Sequence, residues 1–110
     1  MKILITGISG FLGRNLITKL NHHELFGLDL HDDTIDGVKV FSSAHLEKLD
    51  TSIDVVVICH AAVASGTVIL SNDLLYQVNV SLTEKIVNKF KEAFVVYVST
   101  ASIYDVNLEL

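Results

Sequence analysis

Short apolar runs separated by polar turns recur along the chain and predict most of its strands. Five of these runs are short and rich in β-branched residues, which is typical of strands buried on both faces of a sheet. They cover Lys2–Thr6, Leu25–Leu30, Val38–Phe41, Ile53–Cys59 and Phe94–Val98. The sequence therefore predicts five strands.

Apolar residues at helical spacing mark two longer segments between these strands. The first runs from Phe11 to about Asn21, and the second runs from Asp73 to Glu92, with Asn72 or Asp73 placed to cap it. Residues 44–49 allow one or two further helical turns. Only residues 31–37 separate the second strand from the third, so we expect a connection without a helix there.

The alternation of strands and helices predicts an α/β fold of the Rossmann type, with three layers and a mostly parallel sheet. Right-handed crossovers favour the strand order 3-2-1-4-5. We expect residues 1–110 to form one dinucleotide-binding domain, truncated after the fifth strand, because a doubly wound fold normally continues to a sixth. An open fifth strand would also leave an edge through which two copies could pair as a homodimer.

Composition and charge narrow the classes of protein that this chain can represent. Apolar residues make up 50% of the chain and the formal net charge is -5, without a cluster of Lys or Arg on a predicted face. We therefore expect no nucleic-acid partner. No apolar run approaches the ~20 residues of a membrane span, and the amino terminus lacks the apolar region of a signal peptide. A cytoplasmic protein without a membrane partner is the default expectation.

The cysteine and histidine positions indicate neither an internal disulfide nor a metal site. Cys59 is the single cysteine and closes an apolar run, as expected of a small core residue. The histidines have no Cys or carboxylate partner at ligand spacing, so we predict no metal. They are His22, His23, His31, His45 and His60.

Three glycines at a spacing of three follow the first predicted strand and open the first predicted helix. Gly7 can make the tight turn off the strand, Gly10 can let the backbone approach a pyrophosphate, and Gly13 can let the helix pack closely on the sheet. Backbone N–H groups at the helix start would bind the phosphates, aided by the helix dipole. A purely structural turn is the alternative. The other predicted cofactor-binding residues of this turn are Ser9, Phe11 and Leu12.

A carboxylate at the end of the second predicted strand supports a dinucleotide. Asp29 stands 22 residues after Gly7, where such a group accepts hydrogen bonds from the adenosine ribose hydroxyls. A 2'-phosphate would be repelled there and would require Arg or Lys, and residues 30–33 contain neither. The pattern favours NAD over NADP. The alternative is an Asp that only caps a turn.

The order of motifs resembles that of the extended short-chain dehydrogenase/reductase family, the NAD-dependent epimerases and dehydratases. The resemblance implies that His60, Ala61 and Ala62 lie along the cofactor and that Asn79 supports the active-site backbone. It also implies that Thr100 hydrogen-bonds the substrate oxygen that is oxidised or reduced. The matching motifs are Gly7-x-x-Gly10-x-x-Gly13, Asp29, His60-Ala61-Ala62, Asn79-Val80-Ser81-Leu82-Thr83 and Val98-Ser99-Thr100-Ala101-Ser102-Ile103-Tyr104.

The function implied by this resemblance is hydride transfer between NAD and a nucleotide sugar or similar substrate. The family's general base is a Tyr followed four residues later by Lys, and no Tyr of this sequence has that partner. The resemblance places the pair beyond Leu110. We therefore expect the parent protein to be an NAD-dependent epimerase or dehydratase, and the 110-residue chain alone to be inactive.

Two smaller departures concern the turn after the fifth strand and the adenine contacts. Asp105 replaces the Gly usual in that turn, and Ser42 and Ser43 stand where the family often has an acidic Asp-x-x-Asp pattern. Two other functions stay open. One is a non-catalytic NAD(P)-binding regulatory module, and the other is a Rossmann-like domain for a different adenosine ligand, such as a methyl donor.

Overall fold

One mostly parallel sheet organises the chain, with a helix against each of its faces. The computed structural model describes residues 1–49, 52–60 and 77–98. The elements in chain order are β1 (Lys2–Thr6), α1 (Phe11–Lys19), β2 (Glu24–Asp29), β3 (Asp33–Ile35), β4 (Val38–Ser42), a 3₁₀ helix (Ser43–Lys48), β5 (Val55–Ile58), a π-helical turn (Gln77–Ser81), α2 (Leu82–Lys89) and β6 (Phe94–Tyr97).

The strand order is β3-β4-β2-β1-β5-β6. Every neighbouring pair is parallel except β3 and β4, which are antiparallel. The five predicted strands correspond to β1, β2, β4, β5 and β6, and they lie in the predicted order. This confirms the Rossmann-type α/β class, while the additional strand β3 makes the complete order differ from the prediction.

Residues 31–37 contain no helix, as predicted, but they form the additional strand β3, which the sequence analysis missed. It pairs with β4 through a two-residue turn at Asp36 and Gly37, whose φ angles are 49° and 82°. Two consecutive positive φ angles match the right-handed twist of a hairpin, and the pair Asp-Gly is a strong signal for this turn. The segment was too short for a helix, but it was long enough for a three-residue edge strand.

The alternation of side chains along β1 assigns one apolar cluster to each face of the sheet. Ile3 and Ile5 belong to the cluster that also contains Ile17 of α1, whereas Leu4 belongs to the cluster that contains Ile86 of α2. All five side chains are buried. A strand covered on both faces must be apolar at every position, and this explains why β1 lacks an alternating polar pattern.

The helix bounds differ from the sequence prediction at several positions. The first helix ends at Lys19 rather than Asn21, and α2 ends at Lys89 rather than Glu92. After α2, the Ala93 N–H donates to the Phe90 carbonyl oxygen at 3.0 Å, and this turn directs the chain into β6. Buried Phe90 holds the turn against the sheet. The predicted cap at Asn72 or Asp73 lies outside the described residues.

The strand register brings the carboxyl ends of three central strands to one edge of the sheet. Thr6 at the end of β1 lies opposite Leu28 of β2 and Ile58 of β5. The residues at and just after these strand ends are therefore neighbours in space, and they include Asp29, the last residue of β2, and His60. Ligands of open α/β sheets bind at this edge.

Candidate dinucleotide site

The turn after β1 begins with a glycine that the fold itself requires. Gly7 has a φ of 64°, and a Cβ at this position would lie 2.9 Å from the His60 Cα and N atoms. Its N–H donates to the Leu28 carbonyl oxygen at 2.8 Å. Any side chain would therefore be strained and would collide with backbone atoms.

Gly13 is also required by packing within the chain. A Cβ there would lie 2.5 Å from the Ile8 Cα and 2.7 Å from the Ile8 carbonyl oxygen. Gly13 is buried, so α1 crosses the turn in direct backbone contact. Such an approach is the role predicted for the third glycine, and the chain's own atoms are sufficient to explain it.

Gly10 differs from the other two glycines because the fold leaves room for a side chain. A Cβ would meet only the Gly7 carbonyl oxygen, at 3.4 Å, which is ordinary van der Waals contact. Gly10 is exposed and is the N-cap of α1, without a side-chain cap. The Cβ would point into open space beside the helix start, and this fits a backbone that a pyrophosphate approaches closely.

The start of α1 presents backbone donors to this open space. Phe11 and Leu12 stand in its first turn, where N–H groups have no acceptor within the helix. The first turn contains no acidic residue that would compete with an anion. Phe11 is 88% exposed, and Ser9 and Leu12 are also exposed. These predicted cofactor-binding residues therefore share one exposed rim.

The Asp29 carboxylate lies directly beside this rim and is already held by hydrogen bonds. Its Oδ2 accepts from the Ser9 backbone N–H at 2.9 Å and from the Ser9 hydroxyl at 2.6 Å. Its Oδ1 accepts from the Leu30 N–H at 2.8 Å. Partial burial raises the pKa of the carboxyl group, but the bonds from Ser9 and Leu30 outweigh burial and bring the net pKa below its usual value.

Arg14 is a part of this arrangement that the sequence reasoning missed. Its Nε donates to the Ser9 carbonyl oxygen at 3.0 Å, so the side chain reaches back across the turn from the first part of α1. The signal available in the sequence was its position directly after Gly13, one helical turn from Gly10. Arg14 therefore holds Ser9, the residue that donates hydrogen bonds to Asp29.

His60 connects β1, β5 and α2 through a pair of threonines. Its Nδ1 lies 2.7 Å from the Thr6 hydroxyl and its Nε2 lies 3.0 Å from the Thr83 hydroxyl. The Thr6 oxygen also accepts from the backbone N–H groups of Cys59 and His60, at 3.1 and 3.4 Å. The Thr6 hydroxyl therefore bonds to three groups at the end of β5: the Cys59 N–H, the His60 N–H and the His60 ring.

This network refines the sequence interpretation of His60. Both ring nitrogens are hydrogen-bonded within the protein, so the side chain fixes the strand ends relative to α2. Within the motif Asn79-Val80-Ser81-Leu82-Thr83, the described contact belongs to Thr83. Thr6 was missed, although a buried Thr at a strand end before Gly7 could have indicated a structural hydroxyl.

Several predicted site residues fall outside the described part of the structure. Ala61, Ala62 and Thr100 lie there, so their predicted positions beside the cofactor and substrate stay predictions. Asn79 lies in the π-helical turn, but its side chain is outside the description. Their roles stay those implied by the resemblance.

The loop after Asp29 is held by a second carboxylate. Asp32 Oδ1 accepts from the Ser42 N–H at 2.7 Å, and its Oδ2 lies 3.0 Å from the His45 Nδ1. The Ser42 hydroxyl in turn donates to the Leu30 carbonyl oxygen at 3.1 Å. Ser42 and Ser43 lack the Asp-x-x-Asp pattern of the family. A carboxylate nevertheless lies near this strand end, because Asp32 of the preceding loop bonds to Ser42.

Three further features bear on the possible chemistry. Burial raises the pKa of the Cys59 thiol, which disfavours the thiolate that a nucleophile requires.

Across residues 1–49, 52–60 and 77–98, no three His, Cys, Asp or Glu side chains gather to hold a metal ion. No helix in that same portion is long and apolar enough to cross a membrane.

The sequence profile of one protein family matches almost the whole chain. This profile, described as the NAD dependent epimerase/dehydratase family, aligns with residues 3–109. The aligned range contains the glycine turn, Asp29, the His60 segment and Thr100. No curated protein matches the chain.

Solved structures with a similar fold come from dehydrogenases and epimerases. A short-chain dehydrogenase/reductase superfamily protein from Agrobacterium tumefaciens with bound NAD has 19% identity and a TM-score of 0.75, over 94% of this chain and 34% of that chain. The UDP-glucuronic acid 4-epimerase from Bacillus cereus in complex with NAD has 21% identity and a TM-score of 0.69, over 94% and 41%.

A third similar structure is the UDP-N-acetylglucosamine 4-epimerase from Bacillus cereus, with 22% identity and a TM-score of 0.66. The alignment covers 100% of this chain and 44% of that chain. These likenesses show that the fold is shared. They also show that the chain spans less than half the length of these three proteins.

Proposed function

This chain belongs to the NAD dependent epimerase/dehydratase family, and we propose that its glycine turn and Asp29 hold the adenosine and pyrophosphate part of NAD. The membership confirms the family that the motifs resemble, and the description of that family confirms NAD as its cofactor. The observation that carries the proposal is the open space at Gly10. Of the three glycines in the turn, it is the one at which a Cβ would meet no closer contact than 3.4 Å.

Each part of the proposed binding site uses a different physical interaction. The pyrophosphate lies against the N–H groups at the start of α1, where the helix dipole favours negative charge. A hydroxyl of the adenosine ribose donates to the Asp29 carboxylate at the end of β2. The lowered pKa keeps that carboxylate ionised at neutral pH, so it accepts hydrogen bonds from a ribose and repels a 2'-phosphate. We therefore infer a preference for NAD over NADP.

The parent protein, in this proposal, is an oxidoreductase, epimerase or dehydratase that acts on a nucleotide sugar. NAD, when bound, supplies a hydride acceptor for a carbinol carbon of the substrate. Thr100 hydrogen-bonds the substrate oxygen, while Ala61, Ala62 and Asn79 line the cofactor. Two similar structures are named as epimerases of UDP-glucuronic acid and UDP-N-acetylglucosamine, and these names support the substrate class.

A second candidate function is an NAD(P)-binding module that regulates without catalysing. The absence of a Tyr followed four residues later by Lys from the full-length parent protein would favour this module. The two functions differ in the parent protein: a Tyr-x-x-x-Lys pair whose replacement abolishes turnover supports the enzyme, and NAD binding without that pair supports the module. The cytoplasmic location, homodimer formation and lack of a nucleic-acid partner stay predictions.

Calorimetric titration of NAD⁺ and NADP⁺ into the 110-residue chain tests the proposed site, with Gly10→Val as the binding variant. We expect NAD⁺ to bind more tightly than NADP⁺. Gly10→Val should weaken NAD⁺ binding at least tenfold, because its side chain occupies the space that the pyrophosphate requires. Thr18→Ala, at an exposed position later in α1, is the control and should leave the affinity unchanged.

The outcome that contradicts the proposal is also defined. Circular dichroism should show that Gly10→Val retains the fold, because the fold leaves space at this position. A folded Gly10→Val chain with undiminished affinity would show that the turn is structural only. A folded wild-type chain that binds neither nucleotide would show that residues 1–110 do not form the NAD site by themselves.

A further inference from the structure

We propose that Ser9 is a positioning residue for the adenosine ribose, because it locks the Asp29 carboxylate in one orientation and offers its own hydroxyl oxygen as a second acceptor. The inference rests on the proposed NAD site and names the residue that helps this site to recognise the ribose. It gives Ser9 a side-chain role, whereas the glycine motif requires only a backbone at this position.

The orientation of Asp29 follows from its three hydrogen bonds. Ser9 binds Oδ2 twice, through its N–H at 2.9 Å and its hydroxyl at 2.6 Å, while the Leu30 N–H binds Oδ1 at 2.8 Å. Rotation of the carboxylate would break all three bonds together. The group is therefore preorganised before a ligand arrives, which reduces the ordering cost of binding.

The number of acceptor sites limits what Asp29 can bind. An ionised carboxylate offers about four lone-pair sites. Two on Oδ2 and one on Oδ1 are used by Ser9 and Leu30. One site on Oδ1 is left for a ligand, so Asp29 can accept from one ribose hydroxyl but not from two.

The Ser9 hydroxyl oxygen supplies the second acceptor. Its proton is donated to Asp29, and a hydroxyl oxygen has two lone pairs that can accept. Ser9 is exposed on the rim beside the start of α1, so these lone pairs can be reached from the ligand side. The Arg14 Nε holds the Ser9 carbonyl oxygen at 3.0 Å and fixes the residue from its other end.

The same arrangement disfavours a 2'-phosphate. A phosphate at this point would face a carboxylate and a hydroxyl whose proton is already donated to that carboxylate. His31 on the following loop acts on the Asp29 charge, and Arg14 on α1 donates from its Nε to the Ser9 carbonyl oxygen. Ser9 therefore strengthens the selection of NAD over NADP by withholding a donor as well as by fixing a negative charge.

The test uses an observable of the free chain and a binding measurement. Nuclear magnetic resonance of the Asp29 carboxyl carbon against pH should show that Ser9→Ala raises the pKa of Asp29 toward its usual value of about 3.9. Calorimetry should show NAD⁺ binding weakened about tenfold in Ser9→Ala and a smaller ratio of NAD⁺ to NADP⁺ affinity. Ser9→Thr keeps the hydroxyl and should restore both, while Thr18→Ala should change neither.

Each outcome either supports or overturns the inference. An Asp29 titration that is the same in the wild type and in Ser9→Ala overturns the lock. A shifted titration with unchanged NAD⁺ affinity overturns the ribose role. Failure of the proposed NAD site looks different from failure of the Ser9 role. If the site itself is wrong, the folded wild type and every variant bind no nucleotide, whatever the pH titration of Asp29 shows.

Discussion

On the packed side of the glycine turn, backbone atoms leave no space for a side chain at Gly7 or Gly13, whereas on its open side Ser9 and Gly10 are exposed. The hypothetical Cβ distances separate the two sides: 2.5 Å at Gly13 and 2.9 Å at Gly7, but 3.4 Å at Gly10. The same residue type therefore serves the fold at two positions and leaves room for a ligand at the third.

This comparison shows which part of a binding motif can change without loss of the fold. Contacts with backbone cannot be relieved by a side-chain rotation, so they tolerate no substitution. At the open rim a side chain extends into solvent. A substitution there therefore changes the affinity for the ligand more than the stability of the fold. Substitutions on the two sides should therefore separate stability from affinity.

The largest effect is expected for Gly13→Ala. Its Cβ would lie 2.5 Å from the Ile8 Cα, so α1 must move away from the turn. Overpacking of this kind costs about 3 kcal/mol, a large share of the stability of a small domain. Urea denaturation followed by circular dichroism should show a much lower midpoint or an unfolded chain. A midpoint equal to that of the wild type would contradict the packed side of the comparison.

The next largest effect is expected for Thr6→Val, which keeps the shape of the side chain and removes the hydroxyl. The backbone N–H groups of Cys59 and His60 and the His60 Nδ1 then lose their bonds to the Thr6 hydroxyl, while the His60 Nε2 keeps its bond to Thr83. Loss of these half-buried hydrogen bonds costs about 1–3 kcal/mol together. Thr34→Val, at an exposed position in β3, is the matched control and should change the urea midpoint little. Equal midpoints for both variants would show that the His60 network contributes nothing to stability.

The parallel strands and the site edge were predictable because apolar runs report burial directly. The runs at β1 and β5 contain residues that point to both faces of the sheet, and both faces are covered. The position of Asp29 followed from the end of such a run. Periodicity does not detect an edge strand of three residues, and β3 was missed, although its Asp36-Gly37 turn was a local signal.

Contacts between distant segments could not be predicted from one sequence. Gly27 shows the reason: a Cβ there would lie 2.8 Å from the Ile8 Cγ2, because the Ile8 side chain crosses β2. Nothing near Gly27 in the chain indicates this neighbour. The bonds of Ser9 to Asp29 and of His60 to Thr83 likewise join residues that are 20 and 23 positions apart. They depend on strand register, which the sequence pattern left undetermined.

A smaller effect on stability is expected for Gly10→Ala, which completes the comparison within the turn. Alanine is a poorer N-cap than glycine, and this costs about 0.5–1 kcal/mol. Alanine also restricts the unfolded chain, which stabilises the fold by about 0.4–1 kcal/mol. The net change in the free energy of unfolding should stay within about 1 kcal/mol. Urea denaturation beside Gly13→Ala measures it. Equal destabilisation by the two variants would remove the distinction between the packed and open sides.

The smallest expected effect concerns Asp29 and pH. Hydrogen bonds from Ser9 and Leu30 bring its pKa below the usual value despite partial burial, so the folded chain binds the proton more weakly than the unfolded chain. The resulting stability is fully present above the unfolded pKa of about 3.9 and is lost as the pH falls through the lower folded pKa. Asp29→Asn removes this contribution. Urea midpoints of the wild type and Asp29→Asn should therefore differ at pH 7 and converge as the pH falls through the folded pKa of Asp29. Glu47→Gln, at an exposed position on the 3₁₀ helix, is the control variant. A difference between the wild type and Asp29→Asn that is constant with pH would mean that Ser9 does not favour the ionised carboxylate.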